Sequence, residues 1–201
     1  MSKTDKTAEL IQFVRFTHEI RKVKRAVLLE TNEAHENDAG HCYQLALVGW
    51  FLIDNDNLSL DRYRVVGMAM VHDIAEAYAG DVTAFASAQE RAAHIKREKA
   101  AIQKLRQNWP NFTSLHELID EYEAHTTPEA QFVYALDKLL PMINNYLFEG
   151  RAWKQQGITL DKVKTIKVGK VDVSEPINEY YVSVVKILEA NPGLFVNTNN
   201  L

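Results

Sequence analysis

Apolar residues recur along most of this chain at steps of three and four positions, the spacing that places them on one face of an α-helix. Near the N-terminus this spacing continues from Leu10 to Val27 and predicts a first helix over residues 7–29. Residues 45–53 form a nearly continuous apolar run. The second predicted helix, residues 38–54, is therefore expected at the centre of the molecule.

A third helix is predicted over residues 60–79, because the following Gly80 readily adopts the left-handed conformation found just past helix ends. Further helices are expected to begin at hydroxyl side chains that can accept hydrogen bonds from the amides of a first turn. These are Ser87 and Ser114, each followed three residues later by glutamate, and Thr127, which precedes a proline.

The pattern weakens after Gly150 but remains mostly helical. The remaining predicted elements are a loop over residues 151–159 and short helices over residues 161–166 and 176–190. The only β-like stretch, residues 168–173, is too short to build a sheet. We therefore predict one all-α domain, a helical bundle with its core in residues 10–150 and a helical C-terminal extension in residues 151–201.

Composition and charge exclude several classes of protein. With 201 residues, 46% of them hydrophobic, the chain fits one globular domain. Its 23 basic and 27 acidic residues give a net charge of −4, so we expect neither a nucleic-acid polymer nor a membrane as partner. A single cysteine, Cys42, excludes an internal disulfide, and the N-terminus lacks a signal peptide, so a cytoplasmic location is predicted.

An imidazole and a carboxylate interrupt the apolar pattern of the third predicted helix, at His72 and Asp73. Burying an ionised carboxylate without a partner is costly, so such an acid is usually paired or bound to a metal. Two further residues of these kinds are His41 in the second predicted helix and Asp137 in another apolar run. Together they predict a metal site, with a buried salt bridge for Asp137 and helix capping by His41 as the alternatives.

Two acidic residues close to this site are candidates for catalysis. Glu76 lies four residues after His72, hence on the same helix face, where it can deprotonate or only orient a bound water. Asp81 follows Gly80 and is expected at the mouth of the site, unless it simply caps the loop. Imidazole and carboxylate ligands suit one divalent transition metal, namely Mn, Fe, Co, Ni or Zn, better than Ca or Mg.

These residues resemble a known family. The matching motifs are Glu36-Asn-Asp-Ala-Gly-His41, His72-Asp73-Ile-Ala-Glu76, Gly80-Asp81 and Asp137. The pattern resembles the HD-domain metal-dependent phosphohydrolases and is most similar to their 5′-deoxynucleotidase and oxetanocin-like branch. The resemblance implies a single HD-domain helical bundle, and it spans about residues 10–150.

The resemblance also implies roles for individual residues. His41, His72, Asp73 and Asp137 would bind the metal, Glu76 would position the attacking water, and Asp81 would contact the sugar or leaving group. Arg25 aligns with the substrate-binding arginine of the family, and a guanidinium suits a phosphate through two parallel hydrogen bonds. The alternative for Arg25 is a solvated position in a basic run of the first helix.

The activity implied by the resemblance is a 5′-nucleotidase that removes phosphate from (deoxy)ribonucleoside 5′-monophosphates. The partners implied are a small nucleotide substrate and a second copy of the chain in a homodimer. A phosphodiesterase or other nucleotide phosphohydrolase on the same scaffold, and a non-catalytic nucleotide sensor, remain alternatives. The tail after Gly150 is longer than in the shorter relatives, and the sequence assigns it no role.

Overall fold

The structure, a computed structural model, describes residues 3–28 and 34–196. Nearly all of the regular secondary structure within these ranges is helical. The elements, in chain order, are α1 (Lys3–Ile20), β1 (Lys24–Leu28), β2 (His35–Asn37), α2 (Asp38–Asn55), α3 (Arg62–Val71), α4 (Glu76–Ala79), α5 (Ala88–Asn108), α6 (Thr113–Ala124), α7 (Pro128–Leu147), α8 (Arg151–Gln155), α9 (Leu160–Lys167), α10 (Glu175–Glu189) and a short 3₁₀ helix (Pro192–Leu194). The predicted all-α class is confirmed, with one small pair of strands added to it.

The core lies where α2, α3 and α7 pack together, with α6 and α10 against its sides. Leu45, Met68 and Leu136, one from each central helix, are almost completely buried. Gly49 lets α2 approach α3 closely, because a Cβ at this position would lie 3.1 Å from Val65 Cγ1. The second helix was predicted to lie at the centre of the molecule. This is correct for the face of α2 that carries Leu45 and Gly49.

The opposite face of α2 is apolar but exposed. Tyr43, Leu47, Trp50 and Phe51 follow one another at helical spacing, and each exposes 44% or more of its surface. Core packing does not explain why these positions are apolar. Even so, none of the helices in the described ranges combines the length and hydropathy needed to span a membrane.

The predicted first helix, residues 7–29, is wrong at its C-terminal end. Helix α1 stops at Ile20, and residues Lys24–Leu28 form β1, which pairs antiparallel with β2. Position 29 lies outside the described residues. Pairing with β2 outweighs the helical spacing, and it buries the Arg25 side chain, which is 13% exposed. The prediction that the chain contains no sheet is corrected in the same way.

The predicted third helix, residues 60–79, is interrupted in the middle. Helix α3 ends at Val71, and two tight turns carry the chain to α4, because Ile74 N donates to the Val71 carbonyl and Glu76 N to the Asp73 carbonyl. The predicted stop at Gly80 is confirmed, and its φ is +70°. His72 and Asp73 therefore lie at the end of a helix rather than in its interior.

Two of the three predicted side-chain caps elsewhere in the chain are present in the structure. Ser87 forms the predicted capping box with Glu90, and Thr127 caps α7. The predicted start at Ser114 is wrong, because α6 begins at Thr113 without a side-chain cap. The chain after Gly150 is also more helical than predicted. Residues 151–159 contain α8 instead of only a loop, and residues 168–173 form turns instead of a strand.

We expect two glycines of the C-terminal region to respond differently to alanine. Gly150 and Gly157 both have a φ of +64°, so alanine strains either backbone by about 1 kcal/mol. A Cβ on Gly150 would also overlap the Leu194 backbone, whereas one on Gly157 meets nothing within 4 Å. Gly150→Ala should therefore lower the free energy of unfolding by about 2 kcal/mol more than Gly157→Ala in urea denaturation. Equal losses would contradict the described packing of the C-terminal segment.

Candidate active site

Four elements bring the candidate residues together. Strand β1 supplies Arg25, α2 supplies His41, the end of α3 supplies His72 and Asp73, and α7 supplies Asp137. The start of α2 is fixed by Asn37, whose side chain accepts a hydrogen bond of 2.9 Å from Gly40 N. Because α2 begins there, Asp38 and His41 are three residues apart on one buried face.

The four predicted metal ligands converge. His41 Nε2 lies 2.8 Å from Asp137 Oδ1, and His72 Nε2 lies 3.0 Å from Asp73 Oδ2 and 3.7 Å from Asp137 Oδ1. One donor atom from each of the four residues lies within 4.8 Å of the others. These residues are distant along the chain but adjacent in space, as the sequence predicts.

The donor set fits a divalent transition metal. His72 Nδ1 lies 3.0 Å from the Ala69 carbonyl, so its N–H donates there and Nε2 faces the acids. Within the described part of the chain, His72 Nε2 is buried and has no aligned hydrogen-bond partner. Burial lowers the pKa of His72, but Asp73 and Asp137 raise it well above its usual value. This nitrogen thus requires positive charge, either a proton or a metal ion.

Arg25 is the cation that contacts the largest number of carboxylates in this cluster. Its Nη1 donates hydrogen bonds of 2.6 Å to Asp73 Oδ2 and 3.2 Å to Asp38 Oδ1. Its Nε and Nη2 lie 3.5 Å from Glu36 Oε2 and 3.8 Å from Asp137 Oδ1. Arg25 is therefore part of the buried cluster, and the alternative of a solvated helix position is wrong.

His41, His72, Asp73 and Asp137 are referred to below as the cage. Its two aspartates are held ionised by their neighbours. Burial alone would raise the pKa of Asp73, but the charges of His72 and Arg25 keep it well below its usual range. Burial acts in the same way on Asp137, and the Lys138 ammonium and the imidazoles hold its pKa low. Both carboxylates are therefore available as anionic ligands at neutral pH.

Glu76 differs from these two aspartates, because its pKa is raised rather than lowered. It is buried, and its Oε2 has no hydrogen-bond partner among the residues that the structure describes. Burial and the charges of Asp73 and Asp38 raise the pKa of Glu76 to about 11. Burial and Asp73 also raise the pKa of Asp38, to about 6. Negative charge is thus in excess on this side of the cluster.

A cavity of about 360 Å³ opens beside the cluster. Its lining includes Arg25, His72, Glu76 and Asp81, so the predicted place of Asp81 at this site agrees with the structure. The pKa of Asp81 is raised by burial. The volume lies within the range of pockets that bind small molecules.

Sequence reasoning missed several residues of this site. Lys138, which follows Asp137, hydrogen-bonds Asp137 Oδ2 and lines the cavity. Asp38 is fully buried against Arg25. Its position three residues before His41 was the available signal, because residues so spaced share a helix face. No sequence signal pointed to Lys167, which lines the cavity from α9.

Comparison with known proteins gives consistent matches. The family model described as HD domain matches residues 17–177. The 5′-deoxynucleotidase HDDC2 of Homo sapiens is 33% identical over 132 residues, which are 64% of this chain and 63% of that protein. The 5′-deoxynucleotidase hdd1 of Schizosaccharomyces pombe is 31% identical over 122 residues, which are 58% of this chain and 60% of that protein. The matches thus span less than two thirds of these relatives.

A solved structure resembles nearly the whole chain. The crystal structure of a predicted metal-dependent phosphohydrolase from Magnetospirillum magnetotacticum MS-1 is 28% identical, has a TM-score of 0.80, and matches over 95% of this chain and 96% of that one. The family model covers most of the chain, including every residue of the cage. The chain therefore belongs to the HD domain family.

Proposed function

We propose that this protein is a metal-dependent phosphohydrolase that releases phosphate from (deoxy)ribonucleoside 5′-monophosphates. One observation carries the proposal: two histidines and two aspartates from three helices converge within 4.8 Å beside an open cavity. The similarity to 5′-deoxynucleotidases over about two thirds of the chain favours a nucleotide as the substrate.

His41, His72, Asp73 and Asp137 would hold one divalent transition metal, and their mixed nitrogen and oxygen donors suit Mn, Fe, Co, Ni or Zn. When bound, such an ion neutralises phosphate charge and lowers the pKa of a coordinated water. The remaining chemistry belongs to side chains of the protein. Positioning and charge neutralisation supply most of the rate enhancement in phosphoryl transfer.

Glu76 is the proposed proton acceptor for the attacking water. Glu76 lines the cavity four residues after His72, and its buried Oε2 has no hydrogen-bond partner among the described residues. Burial, followed by the negative charges of Asp73 and Asp38, raises the pKa of Glu76, so a cation bound at Asp73 would lower that pKa and favour the ionised carboxylate. Its role is supported by its position in the lining of the cavity, near Asp73.

Arg25 and Asp81, which both line the cavity, are the proposed substrate contacts. Arg25 borders the cavity, where its guanidinium can donate to a phosphate oxygen while Nη1 keeps its bond to Asp73. Asp81 lies in the loop after Gly80 and lines the same cavity, where its carboxylate could contact a sugar hydroxyl or the leaving group. A cytoplasmic location remains a prediction from the sequence.

A homodimer is the proposed assembly, and the exposed face of α2 is its proposed interface. Tyr43, Leu47, Trp50 and Phe51 form an apolar surface on the side of α2 opposite the buried face that carries His41. Apolar patches of this kind commonly mark protein interfaces. Interface formation would bury side chains that are otherwise in contact with water.

We expect Asp137→Asn to weaken binding of Mn²⁺ by more than about 100-fold, because changes in residues that merely support metal ligands already cost about 10–100-fold. Isothermal titration of the metal-stripped protein measures this. Asp172→Asn, which changes an exposed carboxylate, is the control and should bind as the unaltered protein does. Undiminished binding by Asp137→Asn would exclude the proposed ligand set.

We expect the metal-loaded protein to release inorganic phosphate from at least one of dAMP, dGMP and dUMP, measured colorimetrically. Glu76→Gln should lose about 100-fold or more in kcat while retaining its metal, because it removes the proton acceptor. Glu117→Gln changes an exposed glutamate and should retain activity. Absence of phosphate release across the panel contradicts a phosphomonoesterase, and a monoester product from a diester would indicate a phosphodiesterase.

We expect Leu47→Glu to convert the proposed dimer to a monomer in sedimentation velocity, because a carboxylate would be buried in an apolar contact. Ile95→Glu is the matched control, since Ile95 on α5 is 51% exposed and Leu47 is 52% exposed. A dimer that survives Leu47→Glu, or an unaltered chain that is monomeric, would refute this interface.

A further inference from the structure

Lys167 is a buried cation that the proposed mechanism does not use. It is the last residue of α9 and is 7% exposed. Among the described residues, no carboxylate lies within ion-pairing distance of its ammonium group, and no hydrogen bond of this side chain is present. Lysine is rarely buried without a partner, because removing an ammonium group from water is costly.

The side chain lines the same cavity as the cage, on the wall formed by the C-terminal segment. Trp153 and Gln156 of the α8 region and Val163 and Ile166 of α9 border the cavity beside it. Lys167 therefore faces the space in which a substrate would lie.

The charges around Lys167 compensate its ammonium group only in part, since Asp137 raises its pKa but burial and Lys138 outweigh this effect. Burial, followed by the nearby Lys138, lowers the pKa of Lys167 to about 7. Lys138 is neutralised by its bond to Asp137, and Arg25 by the acids of the cluster. Lys170, at the edge of the cavity, is also without a carboxylate partner in the described structure, and its pKa is lowered by burial and Lys138. This wall is consequently short of negative charge.

We propose that Lys167 binds the phosphate group of the substrate from the C-terminal segment that lines the cavity, with Lys170 as a second cation of this anion site. The identity of the phosphate carrier, a nucleoside monophosphate, rests on the proposed function, whereas the anion site does not. A phosphate dianion supplies the negative charge that the wall lacks, and a lysine ammonium is a common point-charge partner of phosphate. The C-terminal segment thereby completes the substrate pocket.

Lys167→Met tests this proposal, with inorganic phosphate as the probe in isothermal titrations of metal-loaded protein. We expect Lys167→Met to weaken phosphate binding about 10-fold or more, because it removes a charged hydrogen-bond donor. Lys162→Met, at an exposed position of the same helix, should bind phosphate as the unaltered protein does. The melting temperature of Lys167→Met should be unchanged or higher, since a buried amine without a partner is removed.

Equal phosphate affinity in Lys167→Met and the unaltered protein would overturn the proposal, and so would the absence of phosphate binding in the unaltered protein. If Lys167→Met does not fold, Lys167→Gln takes its place in the same titration. In hydrolysis assays, Lys167→Met should raise KM for a nucleoside monophosphate more than it lowers kcat. Phosphate binding that depends on Lys167 without hydrolysis of any nucleotide would refute the proposed function while leaving the anion site intact.

Discussion

The buried acids of the site depend on nearby cations, of which Arg25 contacts the largest number of carboxylates. Its guanidinium lies within 4 Å of four carboxylates, those of Glu36, Asp38, Asp73 and Asp137. Carboxylates removed from water and crowded together repel one another strongly unless positive charge lies between them. The strand that carries Arg25 is therefore as important to the site as the helices that carry the ligands, because it brings this charge into the cluster.

Even with Arg25 in place, the cluster retains an excess of negative charge. The raised pKa values of Asp38 and Glu76 reflect burial together with their acidic neighbours. His72 Nε2 faces the same acids and has no aligned hydrogen-bond partner within the described residues. Such an arrangement is unfavourable as a purely structural feature, since it lowers stability without an evident packing benefit. It is favourable when a divalent cation completes it, and the site and the HD domain family membership agree on this point.

The fold class, the four candidate ligands and the ends of α2 could be predicted from the sequence, because helical spacing, capping and misplaced charge are local signals. Strand β1 could not, since its residues continue the helical spacing and only pairing with β2 makes them a strand. The turn at His72 could not be predicted either, because the residues around it also continue the helical spacing. The place of Lys167 beside the cavity depends on how α9 packs against helices far away along the chain, which a single sequence does not specify.

The central claim is that the cage of two histidines and two aspartates binds one divalent cation. Anomalous diffraction from crystals grown with Mn²⁺ tests it most directly. We expect one strong anomalous peak, within about 2.3 Å of a donor atom from each of His41, His72, Asp73 and Asp137. Crystals that show no peak among these residues, with Arg25 still bonded to Asp73 at saturating Mn²⁺, would contradict it.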